Sequence, residues 1–316
     1  MRPVAVDILS GFLGSGKTTL LSHLLQGPLA GERVAVVMNE IGDIAVDARV
    51  VTGMEFVEDV VELNSGCICC TIDDYRFDLG VQELVERVDP NLILIECTGL
   101  ADPAPVRARV QQAGLANDAV ITVVDAANFD VHLQASSVNK RQIEAADFLV
   151  VSKTDLVSDR EAAAVERRLG RINRRALRLR ADRGKPENDL ILGTSAARMR
   201  ALSGAPAPLK AAEGPVGHLH EDRIGAFVIR EERALDVGRF ERFLEDLPRS
   251  VYRAKGFARV ADNEWSCLFS FTCGRYELNW IKLGEAAGPT QAVFIGRDVE
   301  KSRARIERRL ERCLAD

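Results

Sequence analysis

A doubly wound, mostly parallel α/β sheet followed by a smaller α+β domain is the fold class that this 316-residue sequence predicts. Three observations predict it. Short apolar runs alternate with helical patterns through the first half, an Ala/Pro/Gly-rich stretch interrupts the chain near residue 210, and closely spaced strand patterns follow. At about 100–200 residues per domain, the length allows two domains with sizeable cores.

Taken in order, Val4–Ser10, Arg33–Asn39, Val60–Leu63, Leu92–Glu96, Val120–Asp125 and Phe148–Ser152 read as strands. Most are continuously apolar rather than alternating, as parallel strands covered on both faces are. Helical stretches lie between them, among them Thr18–Leu29 and Leu79–Val88, the latter stopped by Pro90. Ser203–Gly217 (SGAPAPLKAAEGPVG) has no periodic face and reads as a linker. The expected division is therefore 1–203, a linker over 204–217, and a second domain over 218–316. That domain should hold a strand at Ala226–Arg230, a helix at Val237–Leu247, strands near 251–261, 265–273, 275–283 and 291–296, and a charged closing helix, Val299–Leu314.

Composition excludes several functions. With 47% hydrophobic and 28% charged residues the chain is an ordinary globular protein. Its net charge of −5 offers no electrostatic reason to bind nucleic acid or an anionic membrane, and 5% aromatics supply few stacking platforms. No apolar run approaches the ~18 residues of a membrane span. The apolar start superficially resembles a signal peptide, but Asp7 interrupts it and a glycine-rich loop follows. Seven cysteines, three of them within four residues and the rest without framework spacing, point to a reducing cytoplasm.

The first chemical motif follows the first strand. GFLGSGKT, Gly11–Thr18, matches the phosphate-binding pattern G-x-x-x-x-G-K-[ST] at every fixed position. Its glycines let successive N–H groups converge on phosphate oxygens, Lys17 adds a point charge on the β- and γ-phosphates, and Thr18 is suited to ligate Mg²⁺. Gly14, Ser15, Gly16, Lys17, Thr18 and Thr19 are the candidate phosphate contacts. Ser152-Lys153-Thr154-Asp155 ends the sixth strand. The Asp155 carboxylate can accept from guanine N1–H and the exocyclic amine, with the Lys153 stem packed over the base. Ser152 stands where GTPases usually have Asn, and a plain helix cap by Ser152 or Asp155 is the alternative. Thr194-Ser195-Ala196 could supply a further N–H to the base.

Near the γ-phosphate, Glu96 is expected to orient Mg²⁺ or its waters and Gly99 to report the phosphate through its N–H. Lys17, Thr18 and Glu96 are the candidate catalytic residues. Glu40, Asp43 and Asp47 follow the second strand at the same sheet edge; Asp47 is a candidate Mg²⁺ contact, although Asp43 and Asp47 also read as surface residues. Cys67, Cys69 and Cys70 follow the third strand and can converge on one soft or borderline cation, Zn²⁺ or Co²⁺, with Glu40 or solvent as fourth ligand. Small buried hydrophobes are the alternative for these thiols.

In their order and spacing, GFLGSGKTT, NEIGDIAVD, GCICCTI, ECTGLADP, VITVVDA and SKTD, with RAKGFARV (Arg253–Val260) later, resemble the CobW-like metallochaperone GTPases, relatives of the nickel-inserting GTPases of hydrogenase and urease maturation. The resemblance covers essentially the whole chain. It implies a slow, Mg²⁺-dependent GTPase cycling between GTP and GDP, with Zn²⁺ or Co²⁺ held by the Cys-x-Cys-Cys segment. It also implies delivery to a client metalloprotein through the C-terminal domain, by a monomer or homodimer. Three departures qualify it: only His218 and His220 stand where many members carry a His-rich stretch, Cys97 replaces a threonine, and the N-terminal peptide motif of the eukaryotic members is missing. Cys97 reads as a metal-site neighbour or a core contact, and the two histidines as a weak metal site or a solvated linker. Two rival functions remain: a regulatory GTPase with a fixed structural zinc, and a P-loop small-molecule kinase.

Overall fold

The computed structural model describes residues 4–27, 29, 32–38, 57–62, 74–183, 185–186, 224–261, 265–281 and 288–315. The chain divides into two units, one holding Pro3–Ala196 and the other Ala197–Asp316. The expected linker, 204–217, lies outside the described residues.

The first unit is a sheet of β1 (Ala5–Gly11), β2 (Val34–Met38), β3 (Val57–Glu62), β4 (Leu92–Glu96), β5 (Ala116–Asp125), β6 (Phe148–Ser152), β7 (Leu177–Asp182) and β8 (Lys185–Pro186). The strand order is β3-β2-β4-β1-β5-β6-β7-β8, and every pairing but β7–β8 is parallel. Succeeding strands pass to one side of β1 and then to the other, so the order reverses at β1. In open α/β sheets ligands bind beyond the carboxyl ends at such a reversal. Register aligns those ends: Leu9 and Met38 both pair with Glu96, Met38 with Glu62, and Asp125 with Ser152.

Helices α1 (Lys17–Gln26), α2 (Asp74–Val88), α3 (Pro103–Gln112), α4 (Phe129–Ala135), α5 (Ser137–Ala145) and α6 (Asp159–Ile172) connect the strands. Local chemistry starts three of them. Asp102 accepts from Ala104 N–H with Pro103 in the first turn, Ser136 accepts from Val138 N–H, and Ser158 and Glu161 form a reciprocal capping box. Strand β5 begins four residues before its predicted start. Ala116 and Asn117 are recruited by pairing with Ala5 and Val6 of β1, so tertiary pairing overrides the polar Asn117-Asp118 pair. Helix α2 likewise begins at Asp74 rather than Leu79, and α1 ends at Gln26 with Gly27 as its cap, short of Leu29.

The second unit is an antiparallel sheet of β9 (Ile224–Glu231), β10 (Val251–Ala258), β11 (Ser266–Thr272), β12 (Arg275–Ile281) and β13 (Thr290–Arg297), in the order β12-β11-β10-β13-β9, with helices α7 (Val237–Glu245) and α8 (Val299–Glu311). Phe240 and Phe243 of α7 and Ile306 and Leu310 of α8 share one buried cluster with Phe227, Phe269 and Phe294 of the sheet. The RAKGFARV segment forms β10 and the residues just beyond it. Its glycine has a packing reason: a Cβ on Gly256 would meet the Gln291 carbonyl oxygen at 2.0 Å. No helix among the described residues is long and apolar enough to cross a membrane.

Candidate functional site

The loop between β1 and α1 has the backbone that its glycines permit. Gly14 and Gly16 lie at φ 70° and 100°, the left-handed region closed to most side chains. Gly11 approaches β5 so closely that a Cβ there would lie 2.4 Å from Val123 O. Gly16 is the N-cap of α1 and offers no side-chain acceptor, so the first-turn N–H groups of the helix remain available to an anion. Lys17 is buried, and its Nζ donates to the carbonyls of Gly11 (3.0 Å) and Phe12 (3.3 Å), which holds a positive charge inside the loop. Ser15 is buried; Thr19 is exposed.

Across from this loop stands the end of β4. Thr18 Oγ1 donates to Glu96 Oε1 at 3.3 Å, bringing together the hydroxyl and the carboxylate predicted to serve Mg²⁺. The chain then turns at Thr98–Ala101, closed by Ala101 N–H to Thr98 O at 3.0 Å. Gly99 in this turn lies hard against the phosphate loop: a Cβ would sit 2.6 Å from Leu13 N. The hydroxyls of Ser15 and Thr98 are buried without a hydrogen-bond partner among the described residues. Orphan hydroxyls, an uncapped helix and a caged ammonium form a donor set suited to a phosphate chain with its cation.

Cys97 takes the second of its two readings. Its side chain packs in the core with Val6, Ile8, Val37 and Val106. Burial pushes its thiol up to about 12, only partly opposed by Lys17, so it is held as the neutral thiol.

At the end of β6, Ser152 is buried and its hydroxyl donates to Ser15 O at 2.6 Å, tying this strand to the phosphate loop. Lys153 follows in the left-handed region at φ 55°. Its Nζ is 2.7 Å from Asp125 Oδ2, while Asp155 is exposed on the one-turn 3₁₀ helix Thr154–Leu156.

Two of these partners escaped the sequence reading. Asp125 ends β5 beside Ser152 and is 1% exposed. Burial alone would raise its pKa, but hydrogen bonds from the side chains of Lys153 and Asn128 and from Asn128 N–H outweigh this and hold it below the usual carboxylate range. An acid at a strand's carboxyl end in VITVVDA was the available signal. The other is Gln142 of α5, whose Nε2 donates to Gly99 O and Ala101 O and for which no local pattern exists.

The remaining expected site residues, Glu40, Asp43, Asp47, Cys67, Cys69, Cys70, Ser195, His218 and His220, lie outside the described residues. Among the described residues no group of three His, Cys, Asp or Glu is placed to hold a metal ion, and the four described cysteines, Cys97, Cys267, Cys273 and Cys313, are buried.

The nucleotide-binding-domain profile named CobW/HypB/UreG matches residues 5–180, and the profile of the cobalamin synthesis protein cobW C-terminal domain matches residues 224–314. The chain belongs to the CobW/HypB/UreG family. Its first unit is the family's nucleotide-binding domain, and the protein is a P-loop GTPase. Similar chains include the zinc chaperone YjiA of Escherichia coli, 29% identical over 94% of this chain and 95% of that one. The zinc chaperone CobW of a Sinorhizobium species is 30% identical over 93% and 92%. The zinc-regulated GTPase metalloprotein activator 1 of Schizosaccharomyces pombe is 37% identical, over 55% of this chain and 44% of that one.

Proposed function

We propose that this GTPase is a metallochaperone that loads a transition metal, Zn²⁺ or Co²⁺, through Cys67, Cys69 and Cys70 with Glu40 as a fourth ligand, and releases it to a client protein as GTP becomes GDP. The C-terminal unit is the surface offered to that client. The names of its relatives support zinc as the cargo. The observation that carries the coupling is the alignment of strand ends. Glu40 comes two residues after Met38, Cys67 five after Glu62, and both strands finish level with Glu96, which touches Thr18. At about 4.8 Å between neighbouring strands, the end of β3 lies about 10 Å from that of β4.

The chain's own residues divide the nucleotide chemistry. The loop Gly11–Gly16 and the start of α1 orient the phosphates through backbone N–H groups, and Lys17 places its charge on the β- and γ-oxygens. Thr18 and Glu96 would hold Mg²⁺, with Asp47 a further candidate; when bound, the ion neutralises charge developing on the transferred phosphate. Gly99 presents its N–H to the γ-phosphate. Ser152 fixes the floor under the loop, Lys153 and Asp155 take the guanine, and Asp125 anchors the Lys153 head so that its stem lies over the base.

The test is zinc titration with bound GDP and with a non-hydrolysable GTP analogue. Reciprocal coupling requires tighter zinc in the second state and tighter analogue binding with zinc present. A triple Cys67→Ser, Cys69→Ser, Cys70→Ser variant should keep nucleotide binding and lose tight zinc, and Lys17→Ala should abolish hydrolysis. Equal zinc affinity in the two states, with metal that never exchanges, would instead establish the fixed structural site.

A further inference from the structure

The Thr98–Ala101 turn, closed by its own hydrogen bond, is also held from outside. Gln142 of α5 is 1% exposed, and its Nε2 donates to Gly99 O at 3.2 Å and Ala101 O at 2.9 Å. Both acceptors are carbonyls, so the amide nitrogen must face the turn. One side chain thus uses its two N–H groups to bracket Leu100. The backbone of Gln142 is itself pinned from β5, where Thr122 Oγ1 donates to Gln142 O at 3.0 Å. Arg141 adds an outer tie, 2.8 Å from the Asp102 carboxylate, but that pair is half-exposed and weak.

The geometry of the turn gives these bonds a consequence. Thr98 C=O accepts from Ala101 N–H, and in a planar trans peptide the Gly99 N–H points the opposite way. Gly99 meanwhile abuts Leu13 N. Holding the carbonyls of Gly99 and Ala101 from the buried side restrains the turn, and through the Ala101 N–H to Thr98 O bond it restrains the Thr98–Gly99 peptide that presents the Gly99 N–H. An N–H already aimed at a charge loses no orientation when the charge arrives.

We propose that Gln142 is the positioning residue that presents the Gly99 N–H to the γ-phosphate and so sets the discrimination between GTP and GDP. The inference rests on the reading of Gly99 as the γ-phosphate contact. GDP lacks that phosphate, and the hydrogen bonds that Gln142 donates go to Gly99 and Ala101 rather than to Gly11–Thr18, so its loss acts chiefly on the nucleotide that carries the γ-phosphate.

The experiment uses the full chain with Gln142→Met, which keeps volume but removes both donors, and Gln142→Glu, which keeps shape. Affinities for fluorescent GDP and a non-hydrolysable GTP analogue are measured together with kcat and KM for GTP. Gln142→Met should bind GDP within about twofold of wild type, because Gln142 donates its hydrogen bonds to the Thr98–Ala101 turn and none to the diphosphate loop, and this also reports folding. Its analogue affinity and its kcat should each fall about tenfold, the loss of one well-aimed hydrogen bond. Gln142→Glu should lose discrimination at high pH and regain part of it as pH falls and the protonated carboxyl recovers one O–H donor, whereas wild type stays flat. Equal loss for both nucleotides, no loss for either, or no pH-dependent recovery would overturn the proposal. If wild type discriminates and Gln142→Met does so equally, the positioning role alone fails; if Gly99→Pro, which lacks the N–H, also leaves discrimination intact, the assignment of Gly99 fails with it.

Discussion

Replacing Asp125 by Asn tests whether the base-side floor is held by charge. Asp125 Oδ1 accepts from the N–H groups of Ala127 (2.9 Å) and Asn128 (3.1 Å), and Oδ2 from Asn128 Nδ2 (2.9 Å) and Lys153 Nζ (2.7 Å). Four donors converge on the side chain and none of its neighbours accepts, so only a carboxylate satisfies the set. An amide keeping its oxygen on the two backbone N–H groups turns its NH₂ onto Lys153 and Asn128. That costs two bonds to an ionised oxygen, one of them from the partly exposed Lys153, together about 3 kcal/mol. For a unit near 200 residues the melting temperature should fall by roughly 6–12 °C. The sign with pH follows from the depressed pKa of Asp125. Its stabilisation is complete above the unfolded Asp range near ~4 and is lost as pH falls through the lower folded value. Thermal melts of both proteins from pH 8 to pH 3 should therefore run parallel down to about pH 4 and converge below it. GDP affinity should weaken in the variant, because Lys153 no longer has its anchor. Identical melts at pH 7, or a gap that closes between pH 7 and pH 6, would refute this account of the pair.

Three further outcomes follow from the same geometry. Gly99→Ala places a methyl 2.6 Å from Leu13 N, so turn and loop must separate; hydrolysis should fall at least tenfold with GDP affinity kept, read by phosphate release and nucleotide titration. Cys97, whose thiol is pushed up to about 12 by burial, should resist thiol reagents at pH 8 until the protein is denatured, and Cys97→Ala should leave zinc stoichiometry unchanged. Gly256→Ala drives a methyl to 2.0 Å from Gln291 O and should speed amide exchange across β10 and β13 while leaving nucleotide affinity intact.

What was legible in the sequence and what was not divides along one physical line. Groups proposed to touch a ligand are spaced by the ligand's own chemistry, so Gly14, Gly16, Lys17 and Thr18 stand out within the eight-residue motif. Core strands such as Leu92–Glu96 and Phe148–Ser152 were readable to the residue because continuous burial leaves an unbroken apolar run. The start of β5 was not, because pairing with β1 and not local propensity places Asn117 in a strand. The bonds that hold the ligand-facing residues are invisible for the same reason, even where the residue itself, as with Ser152 and Lys153, was already a candidate. Ser152 reaches Ser15 across 137 positions, Gln142 reaches Gly99 across 43, and Lys153 reaches Asp125 across 28. Each such bond is a tertiary event with no local pattern. A site built this way has two kinds of residue with different failures: losing a ligand-facing group removes binding or turnover outright, while losing a holding group misplaces the groups it holds and weakens what they do. The second class, Ser152, Asp125 and Gln142, enters from β6, β5 and the connecting helix α5, and both strands lie on the far side of β1 from the strands that lead to Glu40 and Cys67.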